Sequence, residues 1–117
     1  MGTLTTLTPG EIVLVSFPFS DLTQTKLRPA VVLANAGRGD WILCQITSNP
    51  RTGIDAIVLT NNSFATGSLH LTSYALPTKL FTAHHNLIVV QIGALKPNVF
   101  RQIIEAVINI FEASLTP

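Results

Sequence analysis

The chain has 117 residues, 47% hydrophobic and only 11% charged, with a formal net charge of +1. That length suits one domain with a moderate core, and the composition argues against intrinsic disorder and against nucleic-acid binding driven by bulk charge. A single cysteine, Cys44, allows no intrachain disulfide, no apolar run is long enough to cross a bilayer, and no basic-then-apolar leader opens the chain. A cytoplasmic protein without membrane association is therefore expected.

Residues 1–8 are Thr-rich, have no period and are expected to form a flexible tail ended by the turn pair Pro9-Gly10. EIVLVSF (11–17) is apolar on both alternating faces, as a strand buried on both sides would be. Pro18 breaks it, and a long polar loop to Arg28 follows. Long ordered loops in small domains are often functional. AVVLAN (30–35) is the second strand, AGRGD (36–40) a turn and WILCQIT (41–47) the third strand. Alternation sets Trp41, Leu43, Gln45 and Thr47 on one face of that third strand.

SNPRTG (48–53) is a loop and DAIVLT (55–60) a fourth strand. Residues 61–72 carry little pattern; SYAL (73–76) is a short strand and NLIVVQIG (86–93) a firmer one. The period then changes. Apolar residues at Phe100, Ile103, Ile104, Val107, Ile108, Phe111 and Leu115 have helical spacing, and Pro97 suits the first turn. A helix over about 98–114 is expected. Five or six short strands in hairpin order plus this helix predict a mainly β fold, a small antiparallel barrel with the helix packed on it, as one domain over 9–117.

PGEIVLVSFPFSDLTQTKLRPAVVLAN, the strand end QITSNP, and the later SYALPTKLFT and IGAL give the chain a specific likeness. Together they resemble the MazF/PemK family of toxins, from about Pro9 to the terminal helix. The resemblance implies an SH3-like barrel and a homodimer. It also implies metal-independent cleavage of single-stranded RNA at short motifs, no cofactor, and inhibition by a cognate antitoxin. The family's paired functional residues, an Arg in the Arg-Pro junction and a Thr ending the third strand, fall on Arg28 and Thr47, with Lys26 and Ser48 flanking them. Related sequences often carry a basic residue near Leu76, so RNA contacts between Tyr74 and Lys79 are where this chain departs.

Metal-free RNA cleavage needs the ribose 2′-OH to attack phosphorus in line and charge to be stabilised on the phosphoryl oxygens. A fixed guanidinium suits two such oxygens, and Pro29 biases Arg28 toward an extended backbone. A threonine hydroxyl can donate and accept but is a very weak base, so Thr47 suits orientation rather than proton abstraction. Lys26, Ser48, Arg51 and Lys79 are candidate RNA contacts and Tyr74 a candidate base-stacking residue. Each also has a plain reading as solvated surface, and Phe17 and Phe19 read better as core or loop anchors than as stacking platforms.

His84-His85 invites a two-histidine nuclease reading, but adjacent residues of an extended segment point to opposite faces. The pair is not expected to act on one phosphate. One Cys and three His with no spaced ligand set make no metal site, and Cys44 inside a strand reads as an inert buried thiol. Two rivals to a ribonuclease remain: a related barrel toxin that binds DNA gyrase, and a family member that binds RNA or antitoxin without cutting.

Overall fold

The computed structural model describes residues 6–18, 25–50, 53 and 55–116. Among these residues, seven strands form one antiparallel sheet: β1 (Glu11–Pro18), β2 (Thr25–Gly37), β3 (Asp40–Thr47), β4 (Ile57–Leu59), β5 (Phe64–Gly67), β6 (Ser73–His84) and β7 (Ile88–Leu95). The order across the sheet is β4-β6-β3-β2-β1-β7-β5. The sheet curls into a half-barrel, and one helix, α1 (Pro97–Ala113), follows it. The mainly β fold with a C-terminal helix is the one the sequence predicts.

The differences lie in strand lengths and in strand number, seven where five or six were expected. Lys26, Leu27 and Arg28 were expected in a loop; they belong to β2, paired with Phe17, Ser16 and Val15 of β1. β1 is regular through Pro18, so it templates β2 as far back as Thr25. β6 is three times the length expected from SYAL, because Pro77 falls in a bulge rather than ending the strand. β5 comes from the segment that carried little pattern. Of the expected tail, residues 6–8 are described, and there Leu7 is buried rather than loose, at 5% exposure.

Strands β1–β3 bury both faces. Ile12, Val31, Cys44 and Ile46 point to a core shared with Leu59, Phe64 and, from α1, Val99 and Ile103. Val13, Val15, Ala30, Val32 and Leu43 point the other way, to a second cluster capped by Leu7 and Ile88. Fully buried side chains such as Ile12, Leu43 and Ile103 each contribute about 1.5–3 kcal/mol. Gly10, with φ of 97°, turns the chain into β1; its N–H donates to the Val32 carbonyl (2.8 Å), and its carbonyl accepts from Leu95 N–H (2.9 Å). That turn ties β1 to both of its neighbours at the end away from Arg28.

Candidate functional site

On the face that carries the second cluster, β2 presents Val32, Ala30 and then Arg28, while β3 presents Leu43, Gln45 and then Thr47. Both rows start apolar and end polar, so the cluster gives way to a site at this edge. The β2–β3 ladder stops at Ala30↔Gln45. The next residue of β2 is Pro29, which has no N–H to carry the ladder on. β2 stays paired with β1 down to Thr25 and lets go of β3. Continued two residues past its last pair, the register sets Arg28 opposite Thr47, one on each lip of the opened seam.

The other wall comes from β6. Cys44 pairs with Leu80 and Ile46 with Ala75, so two steps along β3 are matched by five along β6. The excess forms a bulge that holds Leu76, Thr78 and Lys79, with Pro77 buried in it. The Cys44 thiol donates to the Leu76 carbonyl (3.2 Å) and pins the bulge from beneath. Burial pushes that thiol up from its ordinary value of 9.0 to about 12, a shift the Leu76 hydrogen bond opposes, so Cys44 is neutral and unreactive.

Two hollows adjoin along the seam. The first, about 410 Å³, is lined by Phe17, Arg28, Gln45, Thr47, Leu76 and Lys79 among others. The second, about 280 Å³, takes in Lys26, Arg28, Thr47, Ser48, Leu69 and Leu71. Arg28, Pro29, Ile46 and Thr47 line both, so Arg28 and Thr47 stand on the divide. Among the described residues, the two linings hold three cations, Lys26, Arg28 and Lys79, and no carboxylate. A nearly neutral protein thus concentrates positive charge at one seam.

Arg28, Thr47, Lys26, Ser48 and Lys79 are therefore brought together. Tyr74 pairs with Thr47 across the β3–β6 ladder and is half-buried, but it lines neither hollow. Arg51 and Phe19 lie outside the described residues. The Thr47 hydroxyl accepts the Asn49 N–H (3.1 Å), which occupies one lone pair and leaves the O–H to donate. Arg28 is exposed on its strand and engaged in interactions of its own.

The histidine pair departs from the expected opposite-face arrangement. β6 ends at His84 and a 3₁₀ turn begins at His85, so the chain is not extended across the pair. The rings face each other with centroids 4.3 Å apart. They remain away from the seam, because His84 pairs with Asp40 at the opposite end of β3 from Thr47. At about 3.3 Å per residue, that end is roughly 20 Å distant. Among the described residues, no group of three or more His, Cys, Asp or Glu side chains is placed to hold a metal ion.

A family model for the PemK-like, MazF-like toxin of type II toxin–antitoxin systems matches residues 8–111. The chain belongs to this family. The PemK/MazF fold is also that of its structural neighbours. One is an endoribonuclease in complex with its cognate antitoxin from a mycobacterial species, at 13% identity and TM-score 0.69, over 92% of this chain and 95% of that one. A second is the MazE–MazF complex of Deinococcus radiodurans, at 17% identity and TM-score 0.71, over 89% and 94%. A third is toxin MazF-mt6 of Mycobacterium tuberculosis, at 16% identity and TM-score 0.63, over 86% and 96%. No curated protein sequence matches significantly. Among the described residues, no helix of this toxin is long and apolar enough to cross a membrane.

Sequence reasoning missed Gln45, Asn49, Thr78, Leu69 and Leu71 as lining residues, and it took Phe17 only as an anchor. Two signals were available. Gln45 is a polar residue between Leu43 and Thr47 on a face otherwise apolar, and Pro77 inside a strand marks a bulge.

Proposed function

We propose that this toxin is a metal-independent endoribonuclease that cuts single-stranded RNA, chiefly mRNA, at the Arg28–Thr47 seam. It works in the cytoplasm as a homodimer and is silenced by a cognate antitoxin. The observation that carries the reading is the shared lining: Arg28 and Thr47 stand between two hollows, where an RNA strand crossing the divide would present one phosphate to both. In the reaction, the 2′-oxygen bonds to phosphorus, the bond from phosphorus to the 5′-oxygen breaks, and the leaving 5′-oxygen takes up a proton. The products are a 2′,3′-cyclic phosphate and a 5′-hydroxyl.

Arg28 stabilises the charge that gathers on the phosphoryl oxygens, its planar fork spanning two of them. It cannot act as the acid, since a guanidinium does not give up its proton in proteins. Thr47, its hydroxyl fixed by the Asn49 N–H, donates to the 2′-oxygen or a phosphoryl oxygen and orients it. Proton transfer passes through water. Lys26, Ser48 and Lys79 hold neighbouring phosphates, and Arg51 and Tyr74 are further RNA contacts on sequence grounds. An antitoxin with an acidic, initially disordered tail would cover the same cations and exclude RNA. The mycobacterial neighbour in complex with its cognate antitoxin and the MazE–MazF neighbour support that partner.

The test is to incubate the purified toxin with a long single-stranded RNA in excess EDTA and map the new ends. Discrete cuts with 5′-hydroxyl and 2′,3′-cyclic or 3′-phosphate ends are expected. Absence of cutting across several RNAs would favour a member that binds without cleaving, with Leu76 on the bulge as the first position to restore to a basic residue.

A further inference from the structure

Resting on the ribonuclease reading, we propose that the first hollow binds one unpaired adenine next to the cut phosphate, and that the Gln45 carboxamide reads its edge. Gln45 lies on the β3 face between buried Leu43 and Thr47, opposite Ala30 at the last pair of the ladder. Its backbone carbonyl faces the Cys44 thiol, but among the described residues its side chain takes no hydrogen bond. No buried side-chain nitrogen or oxygen among the described residues lacks a partner. The carboxamide of half-buried Gln45 therefore reaches solvent, and the first hollow is the one that Gln45 lines. The carboxamide is a donor and an acceptor, set side by side and unused.

The surroundings suit a base. Phe17 supplies aromatic surface, and its ring is fixed edge-on against Phe81 at 4.8 Å and 85°. Leu76 supplies apolar surface where a cation would have drawn another phosphate. Arg28 and Lys79 flank the opening, so the base enters with its backbone at the cations. A volume of about 410 Å³ is ample for one base. Adenine presents an amino donor beside a ring-nitrogen acceptor on both its Watson–Crick and its Hoogsteen edge. It matches a carboxamide bidentately whichever edge enters. The second hollow, with Lys26 and Ser48 and no carboxamide, has no such reader.

The experiment compares wild type, Gln45→Leu and Gln45→Met by sequencing the cut ends of a complex RNA pool, with each variant's fold checked by circular dichroism. The readout is the ratio among the four bases at each position beside the cut, so a general loss of rate does not mimic the effect. Wild type is expected to favour A at one flanking position. In both variants that preference should fall about tenfold or more, with the other positions of the motif kept. An unchanged ratio, a wild-type preference for C, G or U at both flanking positions, or complete loss of cutting in folded variants would each overturn the proposal. If wild type cuts nothing, the ribonuclease reading fails separately. Binding of 2′-O-methyl oligo(A), (C), (G) and (U) then decides: selective oligo(A) binding lost in Gln45→Leu supports the pocket, and equal binding of all four overturns it.

Discussion

The two ends of the β2–β3 hairpin make opposite use of the same two strands. At the closed end, Asn35 pairs with Trp41 and Gly37 with Asp40, and Arg38 and Gly39, both at positive φ, make the turn between them. The Asn35 side chain accepts the Gly37 N–H (2.7 Å) and fixes the corner. At the open end, Pro29 stops the ladder, and alternation that began with Val32 and Leu43 finishes in Arg28 and Thr47. Neither lip is loose, because β1 still holds β2, and β6 pairs with Thr47 through Tyr74. A packing seam thus opens into a polar groove through one residue without an N–H and a few polar residues at its end, while the rest of the barrel is undisturbed.

The sharpest way to break this contrast is to remove the same charge at each end. Arg28→Ala should lower the initial rate of RNA cleavage by about 10²–10³-fold, and Arg28→Lys nearly as much, since a point charge cannot span two phosphoryl oxygens. Arg38→Ala, at the exposed closed end, should stay within about twofold of wild type on the same RNA. Full activity in Arg28→Lys would contradict the bidentate role.

Neighbours on one face of β3 should separate packing from chemistry. Leu43 is fully buried, and Leu43→Ala should cost about 2–5 kcal/mol in a urea titration. Gln45→Ala, two residues nearer the open end, should cost less than about 1 kcal/mol.

Cys44, just beneath the bulge, gives a pH signature. Its folded-state value, about 12, lies above the ordinary 9.0, so the unfolded chain loses that proton first as pH rises. The thiol's contribution is complete below pH 9 and is lost between pH 9 and about 12, by up to about 1.4 kcal/mol per pH unit. Urea titrations across that window should show the slope, and Cys44→Val should remove it.

The smallest effect on stability is expected at Pro29. Pro29→Val supplies an N–H that can extend the ladder, worth about 0.5–1.5 kcal/mol, and gives up a proline constraint worth about 0.4–1 kcal/mol. Melting temperature should barely move. Cleavage should fall because the seam closes, and unchanged cleavage would show that the opening does not depend on proline.

Much of this was legible from residues alone. Apolar residues on both faces of EIVLVSF gave a strand buried on both sides, alternation in WILCQIT gave the two faces of β3, and the change of period after Pro97 gave the helix. Arg28 and Thr47 stood out only through the likeness of the Arg-Pro junction and the strand-ending Thr to the toxin family, and pairing sets them on the two lips of the seam. What escaped were features set by pairing rather than by local pattern. β2 extends back through Lys26 because β1 templates it, which a polar stretch does not reveal. β6 continues past Pro77 because a bulge absorbs the missing N–H, and that bulge builds the wall of the first hollow. The histidine rings meet because a strand ends between them, a boundary finer than periodicity resolves.

RNA is expected to bind the open end of the hairpin and not the closed one. Backbone amide shifts of isotope-labelled toxin, followed while an uncleavable 2′-O-methyl RNA is added, test it most directly. Shifts gathered at 26–30, 45–49 and 76–79, with 36–40 and 84–86 silent, are the predicted result. Shifts centred on the His84–His85 end, or spread evenly over the barrel, would contradict it.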